Sequence, residues 1–223
     1  RKYAPKAVVE MAHKMGITSY IPAVYSIALG SCDISLYEMV GAMSTYANKG
    51  VFIEPQFLTR IEDKNGNVLQ TFSTKSQEVI SEETAYLMIR LMQGVVDGGT
   101  GVRLRYKYGL DNPIAGKTGT TQNQSDGWFM GITPDLVAGV WVGCEDRAAH
   151  FRSITLGQGA NMALPIWGLF MQRVYADAGL HFSKRDFDPP SKPISVDLNC
   201  DDNNASQPAA GKKKKQVIDT DEF

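Results

Sequence analysis

The chain has 223 residues, 43% of them hydrophobic, and a formal net charge of −1. That is enough apolar side chain for one sizeable core, and so even a charge balance gives no electrostatic basis for nucleic-acid binding. No apolar run reaches the ~18–20 residues needed to cross a bilayer, and the start is not a signal peptide, so any address or anchor is expected upstream.

In chain order, residues 3–15 read as a helix. Pro5 suits its first turn, Val8, Met11, Ala12 and Met15 form one apolar face, and Gly16 ends it. A loop with Pro22 leads to Ser35-Leu36-Tyr37-Glu38, a capping box that opens a second helix. Leu36, Met39, Val40, Met43 and Ala47 face inward there, and Gly50 is the C-cap. Residues 57–61 and 68–72 read as a hairpin around Asp63-Lys64-Asn65-Gly66-Asn67, which tolerates positive φ. Ser81 and two carboxylates start a third helix, to about residue 96, and Gly98-Gly99-Thr100-Gly101 follows as a loop. Residues 114–121 then read as a buried strand. Residues 127–132 and 136–142 form a hairpin around Thr133-Pro134-Asp135, and residues 161–178 form a last helix. After Ser183 the composition turns to proline, Asn/Asp and lysine, which cannot offset chain entropy; disorder is expected from about residue 199.

Cys32, Cys144 and Cys200 are far apart and odd in number, which argues against a zinc site or disulfide framework. No motif calls for a metal or organic cofactor, and His13, His150 and His181 are scattered.

The chemistry concentrates in Ala115-Gly116-Lys117-Thr118-Gly119-Thr120-Thr121. The plainest reading is a glycine-rich strand. A phosphate loop does not fit: the required first glycine is Asp111, Pro113 deletes an amide, and Thr118-Gly119-Thr120-Thr121 is poor helix material. A third reading is the Lys-Thr-Gly strand of penicillin-recognising serine enzymes. Lys117-Thr118-Gly119-Thr120-Thr121, then Asp126-Gly127-Trp128-Phe129-Met130-Gly131, then Val140-Trp141-Val142-Gly143, resembles the transpeptidase domain of class A, bifunctional penicillin-binding proteins. Ala28-Leu29-Gly30, Tyr46-Ala47-Asn48-Lys49-Gly50, Gly99-Thr100-Gly101 and Pro165-Ile166-Trp167 resemble further landmarks in the same order. Tyr46-Ala47-Asn48 is read as the end of a helix rather than a catalytic Tyr-x-Asn.

In a strand, alternate residues share a face. Thr118 and Thr120 then point together, toward a cleft, where their hydroxyls suit a carboxylate. The resemblance implies that they hold the terminal carboxylate of a D-alanyl stem peptide or of a β-lactam. It further implies that Lys117 reaches the serine of a middle motif and eases proton transfer, and that the Thr120 amide is one arm of an oxyanion hole. Gly119 keeps the strand open to substrate, and Thr121 completes the binding set. The catalytic assignments are thus Lys117 and Thr120, and the substrate-binding ones Thr118, Gly119, Thr120 and Thr121.

Two partners of that strand are absent: no serine is followed by lysine three residues later, and there is no Ser-x-Asn. The expectation is therefore the second half of an acyl-serine D,D-transpeptidase that cross-links peptidoglycan and is inactive alone. The half with Ser-x-x-Lys and Ser-x-Asn, an upstream glycosyltransferase domain and a membrane anchor would precede it, on the extracytoplasmic, periplasmic side of the inner membrane. A D-alanyl carboxypeptidase, a serine β-lactamase or a non-catalytic β-lactam sensor would carry the same strand. The expected fold is α/β, an antiparallel sheet flanked by helices plus part of a helical subdomain. The transpeptidase part is expected over 1–182, with a polar tail over 183–223.

Overall fold

The computed structural model describes residues 4–198. The segment expected to be disordered from about residue 199 lies outside them. Two compact units divide the chain, Arg1–Lys192 and Pro193–Phe223, and every helix and strand named below belongs to the first.

The centre is a three-stranded antiparallel sheet in the order β5-β6-β7: Ala115–Thr120, Asp126–Ile132 and Val137–Gly143. Cross-strand partners include Thr118 with Phe129, Thr120 with Gly127, and Trp128 with Trp141. Helix α6, Gly159–Ala176, covers one face. There Trp167 is fully buried, edge-on to Phe129 at 5.3 Å between ring centroids, and its indole N–H donates to Ala138 O at 3.1 Å. Gly131 makes room for it: a Cβ on that residue would lie 2.3 Å from the Trp167 ring. Helices α2, Leu36–Ala47, and α3, Glu82–Asp97, cover the other face. Met43, Ile89 and Met92 pack there against Ala115, Met130 and Ile132. The α/β architecture with helices on both sides of an antiparallel sheet is the one expected from the pattern.

The capping box of α2 forms as expected. Ser35 Oγ accepts from the Glu38 N–H at 3.2 Å, and Glu38 Oε2 accepts from the Ser35 N–H at 3.1 Å. Helix α1, Pro5–Lys14, departs from expectation. Ala12 and Met15 pack as expected with Ile17, Ile21 and Ala42, but Val8 and Met11 are exposed and Val9 packs in their stead. The packed stripe is narrower than expected and shifted at its first turn, because a short helix takes its face from its tertiary neighbours. Two small ribbons lie outside the sheet. The expected hairpin is shorter than its apolar run, with β2 at Arg60–Glu62 and β3 at Val68–Thr71, and Phe57 is 90% exposed. Strands β1, Val51–Ile53, and β4, Ser76–Glu78, pair with each other. Short helices α4, Arg103–Tyr106, and α5, Ile154–Gly157, complete the elements.

Residues 183–191, which composition groups with the tail, lie on the body. Asp135 Oδ2 accepts from both the N–H and the O–H of Ser183, at 3.0 and 2.6 Å. Glu82 Oε2 accepts the same pair from Ser191, at 2.9 and 2.6 Å. Phe187 is buried between them in sequence.

Three carboxylates of these ties titrate low. The Ser191 hydroxyl, then its amide, holds Glu82 at about 2 against an ordinary 4.5. The Ser19 hydroxyl, with those of Ser35 and Thr18, holds Glu38 below the usual carboxylate range. The Ser183 hydroxyl and amide lower Asp135. A depressed folded-state pKa contributes stability above the unfolded value and loses it as pH falls through the folded one. The melting temperature should therefore be flat from pH 7 to about 5 and fall between about pH 4.5 and 2. Glu38→Gln should be less stable at pH 7 and show a shallower acid decline. Superimposable pH profiles for the two proteins would contradict the assignment to Glu38.

Candidate functional site

The site lies along β5. The strand is buried only at Ala115 and Gly116; Lys117 and Thr120 are exposed, and Thr118 and Gly119 are half-buried. The expectation of a buried strand holds only for its first two residues, because among the described residues β5 pairs with β6 alone and its other side is an edge of the sheet. The N–H of Thr121 donates inward to Asp126 O at 3.2 Å. Alternation then turns the N–H and C=O of Thr120 and Thr118 outward, to the open edge. A sheet edge with free backbone groups is a template for an added strand.

Thr118 and Thr120 share the face toward α6, whereas Lys117 and Gly119 share the other, with Trp128. The Thr120 hydroxyl oxygen accepts from the N–H of Gly159, the first residue of α6, at 2.9 Å. With an acceptor position filled, its own proton is left to donate. The Thr118 hydroxyl lies 2.8 Å from that of Thr100. Both alcohols of the strand are therefore held, and neither is sunk in hydrocarbon. The Lys117 ammonium bends along the edge and donates to Thr118 O at 2.8 Å. It covers the outward carbonyl that an added strand would use as an acceptor.

The remaining assignments are more local. A Cβ on Gly119 would come 3.1 Å from Trp128 Cβ, so the glycine lets β5 and the indole close together. The Thr121 hydroxyl turns into the β5–β6 connection, where it accepts from the Asp126 N–H at 2.8 Å and pairs with Ser125 Oγ at 3.0 Å. That connection carries Asn123 and Gln124 at positive φ, 58° and 55°. The structure thus brings Lys117, Thr118 and Thr120 to one edge and gives Thr121 to the turn. It adds two members to which the sequence reading gave no role in the site: Thr100, there part of the landmark Gly99-Thr100-Gly101, and Gly159. Each is joined to its threonine only through the tertiary fold. Trp141 is 40% exposed, and Trp128 is half-buried against the α2–α3 side.

Among the described residues, no cluster of histidine, cysteine and carboxylate could hold a metal ion, and no helix is long and apolar enough to cross a membrane. Cys32 and Cys144 are free thiols.

Residues 15–145 match the family described as the penicillin binding protein transpeptidase domain. Among curated relatives, "Penicillin-binding protein 1A" of Aquifex aeolicus is 33% identical over 192 residues, covering 86% of this chain and 25% of the relative. "Penicillin-binding protein 2D" of Bacillus subtilis is 32% identical over 211 residues, covering 92% of this chain and 29% of the relative. The chain thus spans about a quarter of the length of these proteins. Among solved structures, penicillin-binding protein 1A from Haemophilus influenzae superimposes with a TM-score of 0.72 at 24% identity, over 84% of this chain and 33% of that one. The PonA1 protein from Mycobacterium tuberculosis in complex with penicillin V superimposes at 0.65 with 25% identity, over 84% and 53%.

Proposed function

The chain belongs to the class A penicillin-binding protein family, with the likeness falling in the C-terminal part of the transpeptidase domain, and on that premise we propose that the open edge of β5 is the acyl-donor subsite of a peptidoglycan D,D-transpeptidase. The observation that carries the reading is the edge itself. Two alcohols face one way, one of them already accepting from a helix amide, and the N–H of Thr120 points out of the sheet beside them.

A stem peptide ending in D-alanyl-D-alanine would lie along β5 as an added strand. Its terminal carboxylate accepts from the Thr118 and Thr120 hydroxyls. A serine supplied from outside this chain attacks the carbonyl before the last residue, and negative charge gathers on that oxygen next to the Thr120 N–H. One such donor is worth about 3–4 kcal/mol of transition-state stabilisation. The peptide bond breaks, D-alanine leaves with a proton, and an acyl-serine ester remains. The amine of a neighbouring strand then takes the acyl group and regenerates the serine hydroxyl. Lys117 leaves the Thr118 carbonyl as substrate takes up that edge, and its charge turns to the serine of the middle motif, favouring the anionic substrate and the proton transfer. A β-lactam with a carboxylate follows the same path as far as the ester and stops there. Within this reading the catalytic half with Ser-x-x-Lys, the membrane anchor and a glycosyltransferase domain belong to the upstream protein, on the extracytoplasmic side of the membrane.

Intact-mass analysis after incubation with penicillin V tests the division of labour. The 223-residue chain should gain no mass, and the full-length protein should gain one penicilloyl group. Stoichiometric acylation of the chain alone would contradict the reading, because the nucleophile would then lie within it.

A further inference from the structure

Thr100 lies 18 residues before Thr118, in a loop outside the sheet, yet the two hydroxyl oxygens are 2.8 Å apart. The residues around it fix that position. After α3 the chain folds back tightly, with the Gly101 N–H donating to Val95 O at 2.8 Å. A Cβ on Gly99 would lie 2.9 Å from backbone atoms of Val95, so the glycine permits the close turn. Three residues beyond Thr100, Arg103 Nη1 donates to Ala160 O at 3.3 Å, in the first turn of α6. The preceding residue of that helix, Gly159, holds the Thr120 hydroxyl. Two elements outside the sheet therefore each hold one alcohol of β5, and Arg103 ties those two elements together.

Two hydroxyls at this distance share one hydrogen bond: one proton lies between the oxygens and the other is free. A carboxylate only accepts. It selects the arrangement in which Thr100 donates to Thr118 and Thr118 donates onward to the carboxylate. Thr120 is set the same way by the Gly159 amide.

We propose that Thr100 is a positioning residue for the acyl-donor carboxylate, acting by orienting the Thr118 hydroxyl as a donor. The inference rests on the reading of Thr118 and Thr120 as the carboxylate clasp. It adds a specificity element from the loop after α3.

The test compares acylation of the full-length protein by penicillin V and by penicillin V methyl ester, which lacks the anionic acceptor. The quantity read is the ratio of the two second-order rate constants in one preparation, from which any misfolded fraction cancels. Thr100→Val should lower the acid-to-ester ratio about tenfold, the worth of one lost hydrogen bond. Thr100→Ser should keep the wild-type ratio, and Thr118→Val should lower it at least as far as Thr100→Val. If Thr100→Val slows acid and ester alike, or leaves both unchanged, while Thr118→Val lowers the ratio, Thr100 has no orienting role and the proposal fails by itself. If Thr118→Val leaves the ratio at its wild-type value, the clasp reading fails and this inference with it.

Discussion

Gly159→Ala should lower the melting temperature by about 10 °C and, in the full-length protein, slow acylation together with it. The substituted Cβ would lie 2.2 Å from Gly119 O and 2.5 Å from Trp128 O. Both are backbone atoms of paired strands, so neither can swing away. The helix must lift instead. Helix α6 carries Leu164, Trp167 and Met171, all fully buried, and moving it loosens their packing on β6. Overpacking of this kind typically costs about 1–3 kcal/mol, and contacts with rigid backbone sit at the upper end. The same lift draws the Gly159 N–H away from Thr120 Oγ1, now 2.9 Å distant, so stability and site are struck together. Gly94→Ala is the control. That glycine lies inside α3 with no atom within 4 Å of its would-be Cβ, and the helix should gain up to about 1 kcal/mol. Thermal denaturation of the two variants checks both signs. A neutral Gly159→Ala would mean that the contact between α6 and the strand is slacker than described.

What the sequence made legible was local. Ser35 and Glu38 are three residues apart, and their capping box follows from that spacing alone. Lys117-Thr118-Gly119-Thr120 could be placed on a strand because glycine and threonine make poor helix and the alternating threonines give a clear two-residue period. The α6 face was readable in its apolar density. What escaped depends on partners distant in the chain. The pairing of β1 with β4 joins three-residue strands, one of them Ser76-Gln77-Glu78, whose composition carries no strand signal. The packed stripe of α1 is set by Ile17, Ile21 and Ala42, which lie outside the helix. Residues 183–191 look like tail because their ties need only two serines and Phe187 against Glu82, Asp135 and the core. Thr100 and Gly159 could be noticed as parts of glycine-rich loops. Nothing in their spacing reveals which hydroxyls they hold.

The second large effect concerns the strand edge. Thr118 is half-buried and Thr120 exposed, so replacing both with valine keeps the shape and exchanges each hydroxyl for a methyl. Thr120→Val also takes the acceptor from the Gly159 N–H, which costs about 1–3 kcal/mol, so the melting temperature should fall by a few degrees while the protein stays folded at assay temperature. A hydrogen bond to a charged acceptor is worth about 1.5–3 kcal/mol, and two of them together correspond to at least a hundredfold in rate. The most direct measurement is the second-order rate constant for acylation of the full-length protein by penicillin V, wild type against Thr118→Val/Thr120→Val, with melting temperatures recorded alongside. The expected result is a fall of about a hundredfold or more with the fold intact. Acylation of the double variant at the wild-type rate would show that the carboxylate is held elsewhere, and the role given to the edge of β5 would be wrong.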